Sequence, residues 1–147
     1  MKKVSIIYWS NGGNVELLAN HIGDSIKGDV EINIKHVNNA SEEDIITADA
    51  VAMGSPAMVN DDIEQLEMKP FIDKLSDIKF NKKPLVLFGS CGWRDDKFIH
   101  NWENIMNGYG FQTIGKVVCK DSLTENEIKL AKTLGEKMLK LIWLKPY

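Results

Sequence analysis

The strongest constraint on this chain lies within its first fifteen residues. Val4 to Val15 reads VSIIYWSNGGNV. The run Val4 to Trp9 is apolar and rich in β-branched residues, and its length suits a strand buried on both faces. Ser10-Asn11-Gly12-Gly13-Asn14 then breaks it. Beyond the break Val15, Leu18, Ala19, Ile22 and Ile26 recur at helical spacing. The unit is therefore strand, glycine-bearing loop, helix. Glycines permit positive φ and let the backbone approach a ligand closely. The helix start that follows carries unpaired N–H groups and a partial positive charge. Together they form a receptor for phosphate or another anion. The loop has no Lys or Arg and does not follow GxxxxGK[ST], so a magnesium-bound nucleoside triphosphate is disfavoured. A phosphate monoester held by neutral donors fits better. The plainer reading is a tight strand-to-helix turn.

The same punctuation recurs downstream. Val30 to His36 alternates apolar and polar, as a half-buried edge strand does. Ser41-Glu42-Glu43-Asp44 has the N-cap and acidic first turn of a helix. Ala50 to Met53 is a second apolar run and closes on Gly54-Ser55-Pro56. Residues 57–67 are polar and irregular, and Met68 to Leu75 is helical. Leu85 to Phe88 is a third run, closing on Gly89-Ser90-Cys91-Gly92-Trp93. A helix with Phe98, Ile99, Trp102, Ile105 and Met106 on one side follows, with a stop expected at Asn107-Gly108. Phe111 to Cys119 is the last strand. Thr124 with Glu127 opens a final helix as a capping box, its apolar side formed by Ile128, Ala131, Leu134, Met138 and Ile142.

Strand and helix thus alternate five times without a repeat or linker, which predicts one α/β domain over residues 1–147: a doubly wound parallel sheet with helices on both faces. Ligands of such sheets sit at the carboxyl ends of the strands. Three strands here end in small-residue loops, Ser10–Asn14, Gly54–Met58 and Gly89–Trp93, and a shared edge turns them into one pocket. Met58 and Trp93, carried on two of those loops, are placed to clamp a flat aromatic system. Packing of both on the domain itself is the alternative. A flat ring with a phosphate tail is the economical guest, and FMN is such a molecule.

The net charge of −3 and the lack of a basic cluster exclude a nucleic-acid surface. The N-terminal apolar run is too short for a signal peptide or a membrane span. Two cysteines, Cys91 and Cys119, make no disulfide framework. A cytoplasmic, monomeric protein is expected.

The chain resembles the flavodoxins of the short, clostridial type over nearly its whole length. The resemblance rests on Tyr8-Trp9-Ser10 with Gly13-Asn14, Gly54 with Ala57-Met58, Pro70-Phe71-Ile72, Leu87-Phe88-Gly89-Ser90 with Gly92-Trp93, and Met106-Asn107-Gly108-Tyr109-Gly110. It implies a five-stranded flavodoxin-like sheet of order 2-1-3-4-5, non-covalent FMN, and one-electron transfer between a reductase and an acceptor enzyme. By the same resemblance the phosphate lies in Ser10, Asn11, Gly12, Gly13, Asn14 and Val15. The ring lies between Met58 and Trp93. Ser55, Pro56 and Ala57 also belong to the FMN site; backbone groups of Met58, Val59, Asn60 and Asp61 meet the N5 edge of the ring, and those of Ser90, Cys91 and Gly92 its pyrimidine edge.

Three departures from the family pattern stand out. Its phosphate loop carries hydroxyls where this chain has Gly12 and Val15, leaving Ser10, Asn14 and backbone N–H groups as donors. Two lost bonds to a charged group amount to roughly 3–6 kcal/mol. The family has glycine after the methionine, and here it is Val59; a turn with positive φ then falls on Asn60. The net charge is also mild for a flavodoxin, although Asp61, Asp62, Glu64 and Glu67 offer an acidic rim. The other candidates are a metal-ligating His100 and a redox pair of Cys91 with Cys119, each set against an idle side chain. A module that has lost FMN and takes another flat anion such as haem, and a flavin-dependent reductase, are the competing functions.

Overall fold

The computed structural model describes residues 1–11 and 13–144; Gly12 of the first loop and the terminal Lys145-Pro146-Tyr147 lie outside the described residues. The elements are β1 (Lys2–Tyr8), α1 (Asn14–Asp24), β2 (Val30–His36), a short 3-10 turn (Val37–Asn39), α2 (Glu42–Ile46), β3 (Ala50–Pro56), α3 (Met68–Lys74), β4 (Lys83–Ser90), α4 (Lys97–Gly108), β5 (Phe111–Cys119) and α5 (Glu125–Leu144). The five strands form one parallel sheet of order β2-β1-β3-β4-β5, the order expected. No described helix is long and apolar enough to cross a membrane.

Strand β1 shows why its sequence has no polar alternation. Neighbouring residues Ile6 and Ile7 are both fully buried but belong to clusters on opposite faces. On one face Val4, Ile6, Ala52, Val86 and Phe88 pack under α1 and α5, through Leu18, Ile22, Leu134 and Met138. On the other, Ile7, Val51, Met53, Leu85 and Leu87 pack under α3 and α4, through Phe71, Ile72, Phe98 and Trp102. A central parallel strand covered by helices on both sides reads as a continuous apolar run for this reason. The edge strand β2 is only partly buried along its length, with Glu31 and Ile34 exposed.

The register brings the carboxyl ends together. Tyr8 lies opposite His36 on one side and Gly54 on the other, Pro56 opposite Ser90, and Ser90 opposite Cys119. All three small-residue loops therefore leave the same edge of the sheet.

Helix α4 ends at Gly108, as expected, with Tyr109 as its C-cap, and the chain reverses at Gly110, whose φ is +100°. The left-handed position that turns the chain out of the helix falls at Gly110, just beyond the C-cap. The thiols of Cys91 and Cys119 do not form a redox pair. Cys91 N–H donates to the Cys119 carbonyl at 2.9 Å, but Cys91 packs in the cluster on the α4 face and Cys119 in the cluster on the α5 face. Adjacent backbones here carry side chains to opposite sides of the sheet, and both cysteines are free.

Candidate functional site

The first loop leaves β1 after Tyr8. Trp9 N–H donates to the Gly54 carbonyl at 3.0 Å, and the Trp9 indole N–H to Glu67 at 3.0 Å. Ser10 Oγ accepts from Gly13 N–H at 3.0 Å, which turns the loop back on itself. Asn14, expected as a phosphate donor, directs its amide to the Asp121 carbonyl at 3.1 Å and so ties α1 to the β5–α5 loop. The Val15 side chain is buried with Leu18, Ala19 and Ile22, leaving only its backbone N–H for a ligand.

The start of α1 differs from the starts of the other helices. At α2 the Asp44 carboxylate accepts from Ser41 N–H at 2.9 Å. At α3 the Glu64 carboxylate takes three backbone N–H groups, and at α4 Asp95 accepts from Lys97 N–H at 3.0 Å. At α5 Glu127 folds back on Thr124, accepting from its N–H at 3.1 Å and its hydroxyl at 2.7 Å. Helix α1 has Gly13 at its N-cap, and among the described residues no side chain accepts from the Asn14, Val15 or Glu16 N–H. Glu16, the acid of its first turn, instead accepts the Tyr8 hydroxyl at 3.1 Å. Four helix ends carry their own anion and α1 is left to receive one.

The second loop is anchored from within. Ser55, fully buried, accepts from Glu64 N–H at 2.9 Å and donates to the Pro56 carbonyl at 2.9 Å. Ala57 N–H donates to the Ser90 carbonyl at 2.7 Å, and Met58 N–H to the Asp62 carbonyl at 2.8 Å. The narrow turn this closes holds two successive left-handed residues, Asn60 (φ +66°) and Asp61 (φ +53°). Asn60 is the residue expected there; Asp61 joins it. Asn and Asp tolerate this region best among non-glycine residues. The Asn101 amide on α4 donates to the Asp61 carbonyl at 3.1 Å and holds the turn against the third loop's helix. Met58 and Val59 project from it, 36% and 64% exposed.

The acidic rim is smaller than the sequence suggests. Glu64 is 3% exposed, its carboxylate taken up by the Leu66, Glu67 and Met68 N–H groups at 2.8–2.9 Å. Glu67 is held by Trp9. Asp62 accepts from the Ile63 N–H at 2.8 Å, so among the described residues Asp61 is the one of the expected four whose carboxylate has no backbone or indole partner.

In the third loop Arg94 N–H donates to the Cys91 carbonyl at 2.9 Å across a turn with Gly92 at φ +59°. A side chain at Gly92 would meet steric strain in this region, whereas glycine adopts it freely. The turn presents Trp93 to solvent, 84% exposed, with the Arg94 guanidinium 4.5 Å from the ring centroid. Burial pushes the Cys91 thiol above its ordinary range. A shallow cavity of about 290 Å³ lies beside this loop, lined by Cys91, Asp95, Asp96, Val118 and Lys120. His100 joins a surface charge network: its ring is 3.4 Å from Asp96 and 3.3 Å from Lys116, and Lys116 pairs with Glu103. Among the described residues no His, Cys, Asp and Glu group could hold a metal ion.

The donor set fits a phosphorylated, planar guest. Bare amides at α1 suit an anion, and an indole, a thioether and an isopropyl group stand in water nearby on the same edge. Stacking that buries about 80–100 Å² of such apolar surface contributes roughly 2–3 kcal/mol. Sequence reasoning missed His36, Glu64, Asn101 and Asp121 as builders of this edge. For His36 the signal was available, because aligning the ends of β2 and β1 places it beside Tyr8.

The family model described as Flavodoxin matches residues 6–134. The flavodoxin of Clostridium beijerinckii is 35% identical over 108 residues, covering 73% of this chain and 78% of its own. That of Megasphaera elsdenii is 29% identical over 138 residues, covering 93% and 98%. The solution structure of two-electron reduced Megasphaera elsdenii flavodoxin has a TM-score of 0.81 over 93% of this chain and 98% of that one. A short-chain flavodoxin associated with a non-canonical PDU bacterial microcompartment, at 19% identity, shares the fold with a TM-score of 0.85 over 97% and 99%. With the match spanning both halves of the sheet and all three loops, the chain belongs to the flavodoxin family of FMN-binding electron carriers.

Proposed function

We propose that FMN binds along the carboxyl edge formed by the three loops, and that the protein passes single electrons between a reductase and an acceptor enzyme. One observation supports this placement above the others: among the described residues, α1 alone of the helices has no side chain accepting from its first N–H groups, on the edge where Trp93 and Met58 stand exposed. The Ser10 hydroxyl and backbone N–H groups from Ser10 to Val15 would receive the phosphate. Met58 and Trp93 would flank the ring, with the Val59–Asp61 turn at one edge and the backbone of Ser90, Cys91 and Gly92 at the other.

When bound, FMN supplies the one-electron chemistry. The chain's part is to position and screen. Apolar side chains from two loops exclude water from the ring faces, which strengthens local electrostatics. Carboxylates at Asp61 and Asp62 oppose added negative charge at the N5 edge and so favour a low potential. Asn101 keeps that turn fixed against α4. The exposed Val59 and Leu66 leave an apolar border for a protein partner. A cytoplasmic, monomeric carrier is the reading we adopt, with two buried thiols suited to a reducing compartment.

The test is reconstitution. The purified chain, dialysed against micromolar FMN, should retain flavin with absorption bands near about 375 and 450 nm, with Trp93 quenching its fluorescence. A chain that emerges colourless overturns the reading.

A further inference from the structure

His36 ends β2 opposite Tyr8 and grips the chain just before the phosphate loop. Its Nε2 lies 3.4 Å from Ser10 N and 3.2 Å from Ser10 O. Its Nδ1 lies 2.8 Å from Asn38 Oδ1 and 3.3 Å from Asn38 N. The ring meets Tyr8 edge-on at a centroid distance of 5.6 Å and Trp9 at 6.1 Å. One imidazole therefore touches three successive residues, Tyr8, Trp9 and Ser10.

This geometry serves every protonation state of the ring. In one neutral tautomer Nε2 accepts from Ser10 N–H and Nδ1–H donates to Asn38 Oδ1. In the other, Nε2–H donates to the Ser10 carbonyl and Nδ1 accepts from Asn38 N–H. In the imidazolium both N–H groups have oxygen acceptors, Ser10 O and Asn38 Oδ1. Protonation thus adds a charge without breaking the grip. The acids of the neighbouring elements are already engaged: Glu16 on α1 by the Tyr8 hydroxyl, and Glu67 before α3 by the Trp9 indole. Lys35, next to His36 on β2, is turned to Asp44. The described phosphate-loop residues carry no cation of their own.

We propose that His36 is the positioning residue of the phosphate end of the FMN site: it fixes Ser10, and as imidazolium it supplies the positive charge that the loop lacks. The proposal rests on the FMN reading above. Imidazoles titrate in the physiological range. Proton uptake at His36 and phosphate binding at α1 then favour each other, and such coupling is reciprocal.

The experiment titrates the apo chain and its His36→Gln variant with FMN and with riboflavin, at pH 8 and pH 6 in low salt. Protonation of the FMN phosphate itself acts on both proteins alike and cancels in the comparison. On going from pH 8 to pH 6, FMN affinity should rise relative to the variant by about five- to tenfold, while riboflavin shows no such difference. In the unaltered chain, the His36 ring resonances should titrate at higher pH with FMN bound than with riboflavin bound. This second measurement stands even if His36→Gln folds poorly. FMN bound by both proteins with the same pH dependence, or His36 resonances indifferent to the phosphate, would overturn the role of His36 and leave the FMN site intact. Failure of both flavins to bind would instead overturn the site reading, and the role of His36 with it.

Discussion

Substitution of Glu64 separates a buried helix anchor from a surface charge. Its carboxylate accepts three backbone N–H groups: Leu66 N on Oε2 at 2.9 Å, and Glu67 N and Met68 N on Oε1 at 2.8 Å each. Its own N–H reaches the buried Ser55 hydroxyl. Hydrogen bonds to a charged group contribute about 1.5–3 kcal/mol each, and a buried donor left alone costs about 1–3 kcal/mol. Water entering the vacated space offsets part of this, so Glu64→Ala should destabilise the apo chain by roughly 3–5 kcal/mol. Glu64→Gln keeps one carbonyl oxygen for Glu67 and Met68 but turns an NH₂ group toward Leu66 N–H. It should cost about half as much, roughly 1.5–2.5 kcal/mol. Urea unfolding followed by circular dichroism measures both. Because this loop carries Met58 and the Asn60–Asp61 turn, FMN affinity should fall in the same order. Were Glu64 a rim carboxylate, both variants would unfold within about 0.5 kcal/mol of the parent and differ only in salt dependence. That outcome refutes the anchor.

Three further outcomes follow from the same structure. Burial alone would raise the Asp44 carboxyl, but Ser41 N–H, Lys35 and Asn33 outweigh it and hold it below the ordinary range. The stability this adds is present above about pH 4, the ordinary carboxylate value, and is lost as pH falls through the depressed native value; Asp44→Asn should therefore cost about 2–4 kcal/mol at pH 7, with the gap closing below pH 4, and a gap constant with pH would refute the ion pair. Gly92→Ala meets no atom closer than Asp121 at 4.0 Å, so its cost of about 1–2 kcal/mol is that of the left-handed backbone; it should also weaken FMN binding by moving Trp93, and unchanged stability and affinity would count against the turn. With the Cys119 thiol pushed up to about 11 by burial and Cys91 raised as well, native protein at pH 8 should react slowly with Ellman's reagent and form no intrachain disulfide under mild oxidant; rapid reaction, or a two-dalton mass loss, would contradict the placement of the thiols on opposite faces.

The sheet and its order were legible because each central strand needed apolar residues on both faces and each ended in small residues, a pattern carried locally by runs such as Val4 to Trp9 and Leu85 to Phe88. The three loops were legible for the same reason. Side-chain commitments across the edge were not. Glu64 sits among acids in the chain and looks solvated, until the start of α3 folds over it. Asn14 follows a glycine loop and looks like a ligand donor, until β5 brings Asp121 within reach. Asn101 and Asp61 are 40 residues apart and meet only through the packing of α4. Gly108 and Gly110 are distinguished only by where the last helical turn closes. His36 falls between these cases, since strand register alone puts it beside Tyr8.

The flavin should bind at the carboxyl edge of the sheet and not at the opposite one. Amide chemical shifts of the ¹⁵N-labelled apo chain, followed through an FMN titration, measure this directly. Saturable shifts should appear at Ser10, Gly13, Asn14, Val15, Met58 to Asp61 and Cys91 to Trp93, with the Trp93 indole among the largest. Lys2, Asp49 and Lys83 at the opposite edge should stay still. Shifts confined to that opposite edge, or none at flavin concentrations that saturate other family members, would contradict the site.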